Sequence, residues 1–265
     1  ANSFKTDWKK EKPVKPRMLG TTAFQSWELA DLAAHIDWTP FFQTWELSGR
    51  YPAILKDNKV GVEATKLLHD ARAMLDRIVE ERWLTAKGVA GFWPANAEGD
   101  DIVVFTDETR MSELTRLHTL RQQIAREPGR QRPHMALADF IAPRASTVPD
   151  YIGAFAVTTG IGEEEALSRH IKPTDDYGRI MLKALADRLA EAFAEALHAR
   201  VRKTLWGYAN AERLTYEELI AEKYQGIRPA PGYPAQPDHT EKATIFRLLD
   251  AERVTGIKLT ESYAM

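Results

Sequence analysis

The residues best suited to chemistry lie in one proline-rich stretch, "GIRPAPGYPAQPDH", residues 226–239. Four prolines and two glycines keep helix and central strand out of it, because each proline fixes φ and lacks an N–H donor. Arg228 offers a planar fork that matches a carboxylate with two parallel hydrogen bonds. Gly232 lets a ligand approach the backbone, and Tyr233 adds a flat face and a hydroxyl. Pro229, Pro231, Pro234 and Pro237 reduce the entropy that such a loop loses on binding. Far upstream, Asp37 precedes an aromatic run holding Trp38, Phe41, Phe42 and Trp45. Most of those rings suit a core, but a carboxylate on the rim of an aromatic wall suits an ammonium or sulfonium group. With Arg228 for a carboxylate and Asp37 for an ammonium, the pair reads as a receptor for an amino-acid headgroup.

Other candidate chemistry is weaker. Asp187, Glu191 and Glu195 recur at four-residue steps, where like charges repel by roughly a few tenths of a kcal/mol. Lys183, His198 and Arg202 relieve this at the ends. The stripe is either a solvated face or a surface for a basic partner or a ligand's polar edge. "TTGIG", residues 158–162, lacks the third glycine and the Lys-Ser/Thr of a phosphate loop, and Glu163, Glu164 and Glu165 would repel an anion there. It reads as a turn and an N-cap. The seven histidines show no H-E-x-x-H or H-x-x-x-H spacing, and no G-x-S-x-G elbow occurs. With no cysteine, disulfides and thiolate chemistry are excluded, and a reducing, cytoplasmic setting fits. A net charge of -2 gives no pull toward nucleic acid or an anionic membrane. No apolar run reaches the ~18 residues of a membrane span.

The elements that must hold these residues follow from periodicity. Residues 57–83 carry the clearest helical period, with Ala64, Leu67, Leu68, Ala71, Leu75 and Ile78 at three- and four-residue steps. A second long helix is expected over 177–205, and shorter ones over 27–37, 114–126 and 163–169. "EPGRQRP" reads as a turn. Residues 87–106 predict a hairpin around "NAEGD"; "MALADFIAP", "DYIGAFAVTTG" and the closing "IKLTESYAM" read as strands. Thr215 with Glu218 forms a capping box opening a helix that runs to Gly226, and Asp238 with Glu241 opens another ending at Gly256. Six Lys/Arg and two prolines in residues 1–17 suggest a linker or tail, taken as 1–25. Without a β-α-β-α rhythm, the expected fold is α+β with an antiparallel sheet.

The blocks "IDWTPFFQTW", "DYIGAFAVTTG", "ADRLAEAFAEALHARVR" and "YQGIRPAPGYPAQPDHTEKATIF" resemble the C-terminal activation domain of cobalamin-dependent methionine synthase, colinearly over 26–265. The resemblance implies a twisted antiparallel sheet with flanking helices that binds S-adenosylmethionine on its surface. It implies that Asp37 contacts the ligand's amino group, Arg228 holds its carboxylate, and Ala230, Gly232 and Tyr233 line it. Asp187, Glu191 and Glu222 would face the ligand or the cobalamin-bearing domain. The implied activity is reductive reactivation: flavodoxin or a flavoprotein reductase supplies an electron, and the ligand's methyl passes to cob(I)alamin carried by a neighbouring domain. The chain would not turn over alone. Two departures stand out: Gln236 replaces a cysteine, and the family continues past "ESYAM" with a further aromatic, so a shortened domain is expected. The alternative is a docking module for a corrinoid protein or flavodoxin-type reductase that no longer binds S-adenosylmethionine. A free-standing methyltransferase would need a group to activate a nucleophile, and none stands out.

Overall fold

A computed structural model describes residues 3–125 and 132–265. Five antiparallel strands form one sheet: β1 (Gly20–Trp27), β2 (Thr85–Glu98), β3 (Asp101–Phe105), β4 (Glu113–His118) and β5 (Asp150–Ile161). Strand β2 is the spine. Along one side it pairs with β5, from Lys87↔Thr158 to Ala95↔Asp150. Along the other it pairs first with β1 and then with β3, which continues to β4. Side chains alternate between the two faces of a strand. Accordingly Ala86, Ala90 and Phe92 enter one apolar core, while Val89, Trp93, Ala95 and Ala97 enter a second on the opposite face.

The larger core packs beneath α1 (Leu29–Ala33), α2 (Trp38–Thr44), α3 (Gly61–Glu80), α4 (Glu163–His170) and α5 (Asp176–Arg200). The predicted stripe of α3 is the buried one. Helix α5 opens with the Asp175 carboxylate accepting from Gly178 N–H at 2.8 Å. It ends in a π-helical turn, Val201–Leu205. The second face carries α7 (Glu241–Leu249) and α8 (Ala251–Thr255); α6 (Tyr216–Ile220) precedes the proline-rich loop. The α+β expectation holds, and "TTGIG" ends β5 with Gly162 as the N-cap of α4.

Several sequence expectations are corrected. Residues 113–118 form edge strand β4 rather than a helix, because Ile102↔Leu117 and Val104↔Thr115 pairing supplies their backbone partners. The rest of that expected helix is irregular to residue 125, and most of the "EPGRQRP" turn lies outside the described residues. "MALADFIAP" makes a 3-10 turn, Leu137–Phe140, since Asp139 folds back to accept Ala136 N–H at 3.0 Å. The hairpin turn is tighter than expected, with Glu98↔Asp101 already paired around Gly99 at φ +65°. The expected helix over 27–37 shrinks to α1, with Trp27 ending β1, and an unexpected helix, α2, follows it. Pro40 sits in the first turn of α2, where N–H groups have no helical partner to lose.

The capping box of α6 forms, but the helix stops at Ile220, and Glu222 takes a left-handed φ of 53°. Asp238 bonds Thr240 N–H at 2.8 Å in a turn before α7 rather than capping it, and Asp250 at φ 52° divides α7 from α8. "IKLTESYAM" forms no strand; Ile257 is buried and the remainder turns at the surface. The basic arm lies on the domain: Trp206 Nε1 donates to the Val14 carbonyl at 2.7 Å, and Phe4 stacks on Phe140. The stretch read as a linker contains the start of β1.

Candidate functional site: an arginine loop on α5

Residues 226–239 hold one irregular shape through their own hydrogen bonds. Gly232 N–H donates to the Gln236 carbonyl at 2.8 Å, and Gln236 N–H donates to the Tyr233 carbonyl at 2.9 Å. Gly232 sits at φ +98°, and a Cβ there would collide with the His239 imidazole. Gly226, at φ +99°, lies against the Tyr208 hydroxyl. Both positions require glycine. The tight turn buries Gln236 and leaves Ala230 and Gly232 at the surface, with Tyr233 63% exposed.

Arg228 is pinned from below. Its Nη2 lies 3.1 Å from Glu195 Oε2 on α5, and its side chain is 25% exposed. Its Nη1 is buried with no hydrogen-bond partner. Beneath it Arg202, 0% exposed, makes a two-bond fork with Glu212 at 2.9 and 2.8 Å. Arg202 also stacks 4.1 Å from the centroid of Tyr224, which His198 meets edge-on. Burial, then the charges of Arg202 and Arg228, depress His198 to about 3, so its ring is neutral near pH 7. Burial pushes the Tyr224 phenol up.

Asp37 is the N-cap of α2: its Oδ1 accepts from Thr39 N–H at 2.9 Å. The half-buried carboxylate has no other hydrogen-bond partner among the described residues. No direct contact joins it to Arg228. Helix α5 links them instead. Phe24 meets Arg200, Trp27 meets Phe193 at 4.9 Å, and Trp45 meets Tyr177 at 5.0 Å. The segment from β1 to α2 therefore runs antiparallel along α5, with Asp37 between the last two contacts and Arg228 held at the C-terminal half.

Asp187 and Glu191 are exposed on α5, about two turns and one turn before Glu195. Glu222 is exposed beside Tyr224 and contributes to its electrostatic surroundings. The structure thus holds Arg228, Ala230, Gly232 and Tyr233 in one loop tied to α5 by Glu195, with Asp187 and Glu191 on that helix, while Asp37 caps α2, whose end meets α5 through Trp45. Sequence reasoning missed the role of Glu195, Arg202 and Glu212. The available signal was spacing: Arg202 follows Phe193, Leu197 and Val201 on an apolar face, where an arginine needs a buried partner.

The arrangement defines a class: an α+β domain presenting opposite charges beside a stiff loop. Comparison makes it particular. The model of the vitamin B12-dependent methionine synthase activation domain matches residues 28–265. A solved structure described as the MetH reactivation domain bound to AdoHcy is similar, with 53% identity and a TM-score of 0.94. The match covers 100% of this chain and 80% of that one. The chain belongs to the family of vitamin B12-dependent methionine synthase activation domains. Among the described residues, no helix is long and apolar enough to cross a membrane.

Proposed function

We propose that this domain binds S-adenosylmethionine between α5 and the 226–239 loop and presents its methyl group to the cobalamin of a neighbouring methionine synthase domain. Arg228 Nη1 carries the reading: a buried guanidinium nitrogen without a partner calls for an acceptor, and a ligand carboxylate is one. Asp37 receives the ammonium, its α2 cap bond to Thr39 fixing the carboxylate's direction. The exposed backbone of Ala230 and Gly232 and the Tyr233 ring line the ligand, while Asp187, Glu191 and Glu222 place negative charge near the sulfonium or the docked domain.

When bound, the sulfonium supplies a methyl group and leaves as a neutral thioether, so this chain needs to place and orient rather than move a proton. On this reading the isolated domain does not turn over; it works as part of a methyltransferase, with flavodoxin or a flavoprotein reductase supplying the electron. The likeness to an AdoHcy-bound reactivation domain supports the ligand class. Calorimetric titration with S-adenosylmethionine tests it. The wild-type chain binds in the micromolar range, and Arg228→Ala weakens binding by roughly 10- to 100-fold, as expected for a charged hydrogen bond. Unchanged affinity in Arg228→Ala sinks the clamp.

A further inference from the structure

Three polar atoms in one contiguous chain of charges are buried without hydrogen bonds: Arg228 Nη1, Glu195 Oε1 and Arg202 Nη1. Glu195 stands between the two guanidiniums, 3.1 Å from Arg228 Nη2 and 3.9 Å from Arg202 Nη1. The second distance is an ion pair and too long for a hydrogen bond. Arg202 is fixed on its other side by the two Glu212 bonds and by Tyr224 against its face. It stands in the π-helical turn that closes α5, with Trp206 N–H reaching back to the Val201 carbonyl at 2.8 Å. Such turns change the direction in which side chains leave a helix and recur at functional sites. A network kept only for stability would close its bonds, because each buried polar atom left unpaired is unfavourable.

We infer that Glu195, backed by Arg202 and Glu212, is a positioning residue that aims the free edge of Arg228 at the ligand's carboxylate. The inference rests on the ligand reading above and adds to it the source of the arginine's orientation. Glu195 takes one nitrogen of the fork and leaves the other for the ligand. Arg202, 3.9 Å from its other oxygen, stops Glu195 from swinging out toward water. Glu195 itself touches no ligand atom.

The experiment compares two ligands on this chain: S-adenosylhomocysteine, and 5′-methylthioadenosine, which has the same nucleoside and thioether without the amino-acid arm. Each is titrated into wild type, Glu195→Gln, Glu195→Asp and Arg228→Ala, at a temperature where circular dichroism shows each variant folded. In Glu195→Gln, affinity for S-adenosylhomocysteine falls about 10-fold while that for methylthioadenosine is unchanged, the selective coupling expected of neighbours in one network. Glu195→Asp, which keeps the charge, recovers part of the loss. Equal weakening of both ligands by Glu195→Gln overturns the inference, because a merely structural role would act on both. Unchanged or tighter S-adenosylhomocysteine binding in Glu195→Gln overturns it too, with the ligand reading intact if Arg228→Ala still weakens binding. If Arg228→Ala changes nothing, the ligand reading falls and takes this inference with it.

Discussion

Arg121 and Arg202 are both nearly enclosed arginines held by two carboxylates, and they are finished differently. Arg121 spends all three nitrogens: on Asp100, on Asp139 at 2.6 and 2.8 Å, and on the His134 carbonyl at 2.7 Å. Arg202 closes two nitrogens on Glu212 and leaves the third unbonded facing Glu195, whose nearer oxygen is also unbonded. The first network joins the chain after β4 to the turn at 137–140 and ends there. The second runs on through Arg228 to the surface loop. The first network is closed on protein partners; the second leaves polar atoms unbonded.

The comparison breaks most visibly at Arg121. Arg121→Ala leaves Asp139 buried and unpaired, so it destabilises the fold by about 3 kcal/mol and lowers Tm by about 8 °C. Differential scanning calorimetry reads this, and S-adenosylmethionine affinity of the folded variant should not move. Arg228→Ala gives the reverse: binding weakens by about 2 kcal/mol while Tm changes little, since Arg202 remains to compensate Glu195.

The open network should also respond to acid. His198 has its folded value depressed to about 3 by burial and by the neighbouring arginines, so the unfolded chain binds the extra proton first. Stability is therefore complete above about pH 6.5 and falls toward pH 3, at about 1 kcal/mol per pH unit. In His198→Gln the Tm-versus-pH curve flattens over that window; an unchanged curve refutes the assignment. The smallest effect concerns Asp37. Asn caps as well as Asp, so Asp37→Asn shifts stability by less than about 0.5 kcal/mol, while calorimetry shows a several-fold loss of S-adenosylmethionine affinity.

Much of this was legible because local rules and the fold agree. The α3 stripe, the β2–β3 hairpin, the β5 run, the Thr215 capping box and the refusal of residues 226–239 to be regular each follow from a few neighbouring residues. What escaped depends on distant partners. Residues 114–118 carry no decisive period of their own, and β3 makes them a strand. "MALADFIAP" has strand-like composition, yet Arg121 and the Ala136 amide recruit Asp139 into a turn. The half-polar β1 reads as the end of a basic tail because it buries little until β2 is present. Arg202 read as a surface charge at a helix end; the π-helical turn and Glu212 place it inside. In the loop, residue types were readable, and the ion pair and hydrogen bonds beneath Arg228 were not.

Helix α5 backs the whole segment from β1 to α2 and also carries Glu195 beneath Arg228. Arg228 belongs to the loop, but the carboxylate that holds it belongs to this helix, the same one that meets Trp27 and Trp45 on either side of Asp37 in sequence. Loosening residues 226–239 would change the fraction of time the guanidinium is in place, leaving the place itself unaltered. Loop variants that leave Glu195 in place should accordingly alter the rate at which a ligand is captured and released.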